Sequence, residues 1–235
     1  MSRLVLLSGW GFDARIWHLL QAYWPAGLRV AAPDWPGYGA SPPLDAPGDL
    51  DALADAMATK LSTDAIWVGW SLGGLLAAEL LQRLPVPRGL VMLGMRPNFI
   101  TNVPTQGGVT VRDLDAFRHA FSRDPQRTWQ HFLRFQLRGE PSPRQAFQRL
   151  VSLLGDNRPA NITTLAAGLA QLASLDVRQA LQAPCPVYFM RGEQDPLLPE
   201  LADENSILLP GCGHCPQLSV PHDLARCLSE LAQSH

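Results

Sequence analysis

The sequence predicts an α/β fold in which a mostly parallel β-sheet carries helices on both faces and is interrupted by a helical insertion. Short apolar runs alternate with amphipathic stretches at both ends of the chain, which is typical of a parallel sheet buried on both faces. This alternation stops after Met95 and resumes at Pro186. The chain has 235 residues, of which 46% are apolar, and is long enough to bury one large core.

The individual elements follow from the same pattern. Strands are predicted at residues 4–7, 29–32, 65–69, 89–95, 186–191 and 206–209. Helices are predicted at about 49–61, 72–84 and 218–233 from their apolar spacing. Helical patterns without a convincing strand fill the middle of the chain. We therefore expect residues 1–96 and 182–235 to form the core, and residues 97–181 to form a helical lid inserted into it.

One lid helix is predicted in more detail. Asp124-Pro125 is typical of a helix start and Gly139 of a helix end, which gives a helix of about 125–138. At about 100° per residue, three arginines share one face and the opposite face is mostly apolar. The arginines are Arg127, Arg134 and Arg138, and the opposite face holds Trp129, Phe132, Leu133 and Gln136. An unpaired Gln136 amide would cost about 1–3 kcal/mol there, so the backbone satisfies it or it faces a polar ligand group.

Composition and charge exclude several classes of protein. No apolar run is long enough to span a bilayer, and the N-terminal LVLL is too short for a signal peptide, so we expect a cytoplasmic protein with no membrane contact. The sequence contains no phosphate-binding glycine loop and no basic-aromatic pattern for nucleic acid. Residues 98–164 carry nine arginines and five acidic residues, whereas the remainder has ten basic and sixteen acidic residues. A cationic lid on an anionic body would attract an acidic partner, although a solvated arginine face explains it equally well.

Two of the four cysteines form a C-x-x-C motif, Cys212 to Cys215. Such a motif is typical of a dithiol redox site or of half a zinc site. Here no second Cys/His pair offers the usual zinc spacing, and the motif does not open a thioredoxin-like helix. We interpret both cysteines as reduced, small apolar residues beside a histidine, and we expect no metal and no cofactor.

A serine lies between two glycines in the segment VGWSLGG, directly after a predicted strand and before a predicted helix. The G-x-S-x-G turn holds a nucleophilic serine exposed at the carboxyl edge of a sheet, and Ser71 fits this context. A serine that only caps the following helix is the alternative.

An acid and a histidine follow Ser71 at the next strand ends, in the order that this motif requires. Asp195 follows the predicted strand 186–191, and His214 follows the strand 206–209. Taken singly, each is an ordinary turn or loop residue. Together they predict that His214 accepts the Ser71 proton and that Asp195 fixes the histidine tautomer. The backbone N–H groups of Trp10 and Leu72 are the expected donors to the oxyanion.

These segments resemble the α/β-hydrolase superfamily, on the stretches LVLLSGWGFDARIW, DWPGYGAS, AIWVGWSLGGLLA and GCGHCPQLSVPHDL. At finer grain, SGWG, GWSLGG and FLRFQ resemble the pimeloyl-[acyl-carrier protein] methyl ester esterases of biotin synthesis. That resemblance implies catalysis by Ser71, Asp195 and His214, and acyl carrier protein as partner. The substrate contacts it implies are Trp10, Ser71, Leu72, Phe132, Leu133, Arg134, Phe135, Gln136 and His214.

Three departures from the superfamily pattern are visible. Ser8 stands where the superfamily usually has histidine, which leaves the orientation of the oxyanion loop open. The chain begins at what is normally the third strand, so two antiparallel edge strands are expected to be missing. The segment between Asp195 and His214 is short, which leaves little room for a helix.

The expected function is hydrolysis of a dicarboxylyl methyl ester carried on acyl carrier protein, by a monomeric serine carboxylesterase. The alternatives are a general short-chain carboxylesterase, lactonase or carbon–carbon bond hydrolase of the same superfamily, and a non-catalytic module that binds an acyl chain or a carrier protein. Five lid arginines are the candidate contacts with the carrier protein: Arg127, Arg134, Arg138, Arg144 and Arg149.

Overall fold

The computed structural model describes residues 2–101, 108–155, 158–198 and 206–234. Their strands form one parallel sheet in the order β2-β1-β3-β4-β5-β6. The strands are β1 (Arg3–Leu7), β2 (Arg29–Ala31), β3 (Ile66–Trp70), β4 (Gly89–Leu93), β5 (Val187–Gly192) and β6 (Ile207–Leu209). All six lie where the apolar runs predict them, with ends that differ by one or two residues. The parallel sheet and the α/β fold class are therefore confirmed.

The order of the strands determines where a site can form. The chain moves from β1 outward to β2 and then returns to pair β3 with the other side of β1. In open parallel sheets, ligands bind beyond the carboxyl ends of the strands at such a switch point. Every residue of β3 and β4 is buried, as expected for strands covered on both faces. The loops after β1 and β3 consequently meet at one edge of a rigid sheet.

Helices cover this sheet and fill the insertion. The α-helices are α1 (Leu50–Met57), α2 (Leu72–Leu80), α3 (Val111–Arg123), α4 (Pro125–Phe135), α5 (Pro143–Leu154), α6 (Ile162–Ser174), α7 (Pro216–Ser219) and α8 (Pro221–Ser234). Shorter 3-10 segments cover Ala14–Tyr23, Gln136–Gly139 and Ala180–Gln182. None of the described helices combines the length and the apolar character needed to cross a bilayer. The treatment of residues 97–181 as a separate lid stays a prediction, and we use "lid" for α3 to α6.

The predicted helix at 218–233 is wrong at its start. The chain forms the short α7 from Pro216 and then α8 from Pro221, separated by Val220 at φ −133° and ψ 50°. A residue before proline is disfavoured in the helical region because the proline ring clashes with its backbone. Pro221 therefore ends one helix and begins the next. The predicted helices 49–61 and 72–84 are also shorter, since their last turns lie outside α1 and α2.

The predicted lid helix at 125–138 begins as expected. The carboxylate of Asp124 accepts the N–H of Arg127 at 3.0 Å, and Pro125 is the first helical residue. The α-helix ends at Phe135, and a 3-10 turn continues it to Gly139. A Cβ on Gly139 would overlap the carbonyl oxygen of Gln194, so glycine is needed here because two backbones approach closely.

Hydrogen bonds tie the lid to the loop that follows β1. The indole of Trp129 in α4 donates to the carbonyl of Gly11 at 3.0 Å. The indole of Trp10 donates to the carbonyl of Leu165 in α6 at 2.8 Å. Both tryptophans are buried. The lid and the sheet edge therefore form one packed unit around the switch point.

Candidate active site

Ser71 occupies a strained turn between β3 and α2. Among the described residues it is the only one besides glycine with a positive φ, at 54° with ψ −128°. Non-glycine residues in such regions cost about 1–3 kcal/mol and cluster at functional sites. A Cβ on Gly73 would lie 2.6 Å from the carbonyl oxygens of Leu7 and Ser8, so the motif glycine allows α2 to pack against β1. The Ser71 side chain makes no capping hydrogen bond to α2, which argues against the capping alternative.

Asp195 and His214 meet in a buried hydrogen bond. Nδ1 of His214 lies 2.8 Å from Oδ2 of Asp195, and both side chains are fully buried. The other carboxylate oxygen accepts the N–H of Leu197 at 2.9 Å, which holds the Asp195 side chain in place. A carboxylate on Nδ1 favours the tautomer in which that nitrogen carries the proton, leaving Nε2 as the acceptor. Among the residues that the structure describes, the buried Nε2 has no hydrogen-bond partner.

The histidine lies beside the chain segment that carries the serine. The indole of Trp70, the residue before Ser71, donates to the carbonyl of His214 at 2.8 Å, and the two rings are 5.6 Å apart. Gly94, at the end of β4 with φ 62°, leaves room below the imidazole, since a Cβ there would be 3.2 Å from Cε1 of His214. The three residues thus gather at the carboxyl ends of β3, β5 and β6.

The loop after β1 lies directly against the serine. A Cβ on Gly9 would be only 2.8 Å from Cβ of Ser71, so this loop can approach because residue 9 is glycine. The next residue is Trp10, whose N–H is one of the two expected donors to an oxyanion. Leu72 is the first residue of α2, and such a residue has no acceptor for its N–H within the helix. One expected donor therefore follows the glycine that packs against Ser71, and the other belongs to the residue directly after Ser71.

Ser8 anchors this loop. Its hydroxyl donates to the carbonyl of Asp13 at 3.0 Å and accepts from the indole of Trp17 at 3.1 Å. Its carbonyl accepts from the indole of Trp35 at 2.8 Å. These bonds fix the backbone immediately before Gly9. Three buried hydrogen bonds that involve Ser8 therefore anchor the loop, and its role in holding an oxyanion stays a prediction.

An apolar cavity of about 270 Å³ adjoins Trp10. Its walls come mainly from the lid and include Phe117, Phe132, Phe135, Leu169 and Leu197. The Trp10 ring packs edge-on against Phe132, with a centroid distance of 5.1 Å. Asp113 and His131 also line the cavity, and both are exposed to solvent, so they lie at its rim. The cavity therefore suits an apolar group, with polar side chains at its rim.

The predicted pocket residues of α4 separate into different environments. Phe132 and Phe135 line the cavity, whereas Leu133 is buried away from it. Arg134 is exposed, with its guanidinium 4.4 Å from the ring centre of Phe147. Gln136 is fully buried, and among the described residues neither of its amide atoms has a hydrogen-bond partner.

Sequence reasoning missed the contribution of α3 and α6 to the cavity. Leu114 and Phe117 of α3, and Leu169 and Leu172 of α6, line it. Their three-residue spacing marks one face of each helix, but spacing alone does not distinguish a cavity wall from a packed core.

The arginines proposed as carrier contacts lie on the outer surface of the lid. Arg127 and Arg144 are exposed. Arg138 stacks its guanidinium 4.8 Å from the ring centre of Phe135, and Arg149 donates to the carbonyl of Leu218 at 3.0 Å. Stacking on a ring and bonding to a neutral carbonyl leave the positive charge in place.

The C-x-x-C cysteines are buried free thiols. Burial, together with the negative charges of Glu140 and Asp195, raises the pKa of Cys212 to about 12 and that of Cys215 well above its ordinary value. Such thiols stay protonated at neutral pH, whereas redox and metal chemistry need the thiolate. Within the described ranges, no group of three or more His, Cys, Asp or Glu side chains is placed to hold a metal ion.

Comparison with known proteins finds one matching family model and relatives that share one name. The alpha/beta hydrolase family model matches residues 4–227. The pimeloyl-[acyl-carrier protein] methyl ester esterase of Aromatoleum aromaticum is 35% identical and covers 98% of this chain and 98% of its own. The esterase of the same name from Yersinia pseudotuberculosis serotype O:1b is 33% identical, over 99% of this chain and 93% of its own.

Solved structures share the fold at low identity. An esterase from Exiguobacterium antarcticum superposes with a TM-score of 0.81 at 20% identity, covering 99% of this chain and 92% of that one. A bromoperoxidase from Bacillus anthracis superposes with a TM-score of 0.80 at 17% identity, covering 100% and 92%. Their names describe different reactions, so the superpositions support the architecture alone.

Proposed function

The chain belongs to the α/β-hydrolase family, and we propose that it is a serine carboxylesterase that hydrolyses the methyl ester of pimeloyl-[acyl-carrier protein]. The products are methanol and pimeloyl-[acyl-carrier protein] with a free carboxylate. The observation that carries the proposal is the buried Asp195–His214 hydrogen bond beside the strained Ser71. Relatives of that name that align along nearly the whole chain support the choice of substrate.

The first half of the reaction forms an acyl-enzyme. Nε2 of His214 takes the proton from the hydroxyl of Ser71 as the serine oxygen attacks the ester carbonyl. Asp195 stabilises the imidazolium that results. The N–H groups of Trp10 and Leu72 donate to the oxyanion, and preorganised donors of this kind are worth about 2.7–4 kcal/mol each. The imidazolium returns its proton to the departing methoxide, which leaves as methanol.

The second half releases the acid. Nε2 of His214 deprotonates a water molecule that attacks the acyl-serine carbonyl, and the same donors hold the second oxyanion. The imidazolium then protonates the Ser71 oxygen as the carbon–oxygen bond breaks. Both steps need Nε2 as a proton acceptor, and the Asp195 contact on Nδ1 favours the tautomer that leaves Nε2 without a proton.

The cavity would hold the acyl chain of a substrate that is attached to a partner protein. The methyl ester end has to reach Ser71, so the methylene chain lies along the apolar cavity and the thioester end leaves at the rim. A surface groove between α3 and α4 meets the cavity there and shares Asp113, Phe117 and His131 with it. Arg123 and Arg127 line that groove. Asp113 and Asp124 line the groove as well, so the positive charge that would attract the strongly acidic acyl carrier protein comes from the excess of four arginines over acidic residues in 98–164.

The nucleophile assignment is tested with Ser71→Ala on two substrates, pimeloyl-[acyl-carrier protein] methyl ester and a short-chain nitrophenyl ester. Hydrolysis of both should disappear while the circular dichroism spectrum is unchanged. Near-normal turnover by the variant would show that Ser71 is not the nucleophile. Absence of ester hydrolysis by the wild-type protein would favour a non-catalytic acyl-binding module.

Charge reversal on the lid tests the carrier protein as partner. Changing Arg127, Arg134 and Arg138 to Glu should raise KM for the carrier-bound ester and leave turnover of the free nitrophenyl ester nearly unchanged. Arg29→Glu, an exposed arginine on β2, is the matched control and should alter neither. Wild-type KM for the carrier substrate should also rise with salt, because the Debye length is about 10 Å at 0.1 M.

The other outcomes of this test point elsewhere. Equal effects on both substrates would mean that the arginines hold the lid together. No effect on either would favour a general esterase or lactonase, and activity on small free esters would then define the protein.

A further inference from the structure

We propose that Glu140 is a positioning residue that holds the catalytic histidine loop from the lid side. This inference rests on the proposed roles of Ser71 and His214. Glu140 follows the 3-10 turn Gln136–Gly139, and its side chain points away from solvent, with the residue only 4% exposed. Nothing in the mechanism above uses this carboxylate. A buried carboxylate is costly unless it is hydrogen-bonded, so its partners indicate its role.

Those partners belong to the segment that carries the histidine. Oε1 of Glu140 accepts the N–H of Cys215 at 2.8 Å, and Cys215 directly follows His214. Oε2 accepts the hydroxyl of Ser219 at the end of α7. One carboxylate from the lid thus holds the first few residues after the histidine.

Because of the bond to Cys215, a single peptide group is hydrogen-bonded at both its oxygen and its nitrogen. The carbonyl oxygen of His214 and the N–H of Cys215 belong to the same planar unit. Trp70 donates to that oxygen from the sheet side at 2.8 Å, and Glu140 accepts from that nitrogen from the lid side. A planar group held at both ends cannot rotate without breaking one bond. The backbone direction from which the imidazole projects is therefore fixed.

Close backbone contacts leave this arrangement little freedom. A Cβ on Gly213 would lie 2.8 Å from the carbonyl carbon of Gly139 and 3.0 Å from Oε1 of Glu140. Gly139 in turn abuts the carbonyl of Gln194, next to Asp195. The N–H of Gln194 also donates to the carbonyl of Cys212 at 2.9 Å. The end of the 3-10 turn that follows α4 consequently lies between the loops that carry Asp195 and His214.

The position of the imidazole matters because proton transfer depends on geometry. A displacement of about 1 Å in a catalytic group can cost about 100-fold in rate. Loss of the Glu140 contact should therefore lower kcat, while the apolar cavity, which determines binding of the acyl chain, keeps its shape. This separation of kcat from KM distinguishes a positioning role from damage to the binding cavity, and the folded fraction has to be measured separately.

The experiment compares Glu140→Gln and Glu140→Leu, whose side chains are similar in size to glutamate, and adds the shorter Glu140→Asp. Glu140→Gln keeps an oxygen for the Cys215 N–H and an amide that can donate to Ser219, so kcat should stay within about threefold of wild type. Glu140→Leu removes the acceptor, so kcat for a nitrophenyl ester should fall about 10- to 100-fold with KM little changed. Glu140→Asp keeps the charge but withdraws the oxygens by one methylene, and should resemble Glu140→Leu even if the latter folds poorly.

The matched control is Glu79 in α2, another buried carboxylate, which pairs at 3.0 Å with Arg83 just beyond the end of that helix. Glu79→Leu should lose stability without a specific loss of kcat. The proposal is overturned if Glu140→Asp retains wild-type kcat, or if Glu140→Gln is as impaired as Glu140→Leu. It is equally overturned if activity only follows the folded fraction measured by circular dichroism. Ser71→Ala is assayed alongside, since its activity would refute the nucleophile and not the positioning role.

Discussion

Adding one methyl group at Gly168 should impair catalysis more than stability. Gly168 lies on the face of α6 that packs against Trp10 and Leu72, the proposed donors to the oxyanion. A Cβ there would be 2.8 Å from Cδ1 of Trp10 and 3.0 Å from Cδ2 of Leu72. Ordinary carbon–carbon contacts are about 3.5–4.0 Å, so Gly168→Ala must move one or both neighbours by about 0.5–1 Å.

The Trp10 ring can shift only toward the cavity that it lines, because contacts hold its other sides. Its indole is hydrogen-bonded to the carbonyl of Leu165, and the rings of Phe117, Phe121 and Phe132 pack edge-on around it at 5.6, 5.6 and 5.1 Å. The displacement therefore passes to the backbone of the loop after β1. That backbone carries one of the two proposed donors to the oxyanion.

The expected loss of unfolding free energy is small, whereas the expected loss of kcat is large. Overpacking costs about 1–3 kcal/mol, and replacing a glycine inside a helix returns about 1 kcal/mol, so the net loss of stability should be about 0–2 kcal/mol. Loss of an oxyanion donor lowers kcat about 100- to 1,000-fold, and a partial displacement should therefore lower it about 10- to 100-fold.

The assay is steady-state hydrolysis of a nitrophenyl ester, with urea unfolding of the same samples. Gly48→Ala is the control, because a Cβ at Gly48 has no neighbour within 4 Å. If Gly168→Ala retains kcat within about twofold of wild type while its unfolding free energy falls, the proposed placement of the oxyanion donors is wrong.

Three further outcomes are expected. Ser71→Gly should be inactive yet about 1 kcal/mol more stable in urea unfolding, because glycine adopts φ 54° without the strain that serine bears there; a less stable variant would argue against that strain. Asp195→Asn should lower kcat for a nitrophenyl ester about 10,000-fold, since the histidine tautomer is no longer fixed; a loss below tenfold would exclude this role. Cys212 and Cys215 should resist iodoacetamide at pH 8 until the protein is denatured, because burial raises the pKa of both thiols; rapid labelling with loss of activity would reopen the redox alternative.

Local signals in the sequence predict the sheet and the turn at the serine well. Strand positions follow from apolar runs, and the turn at Ser71 follows from glycines that its backbone requires. The order of Asp195 and His214 along the chain also places them at one sheet edge, because carboxyl ends of parallel strands share that edge.

Features that depend on distant contacts are harder to predict. Gly139 looks like a helix stop in the sequence, but the reason for glycine there is the backbone of Gln194, more than fifty residues away. Glu140 lies 75 residues before its partner Cys215 and matches no motif. Ser8 departs from the superfamily pattern, yet its bonds to tryptophans further along the chain hold the loop. Tertiary packing determines all three.

The bonds between the lid and the loop after β1 have a consequence for how a substrate enters. Trp129 holds the carbonyl of Gly11, and Trp10 holds the carbonyl of Leu165, so a swing of the lid would pull apart the turn that receives the oxyanion. Movement of the lid away from the sheet would therefore require both of these hydrogen bonds to break. In the proposed function, a substrate therefore has to enter end-on past the rim near Asp113 and His131 while both of these bonds stay in place. Branching close to the ester should slow entry even where the cavity has room for the added carbons.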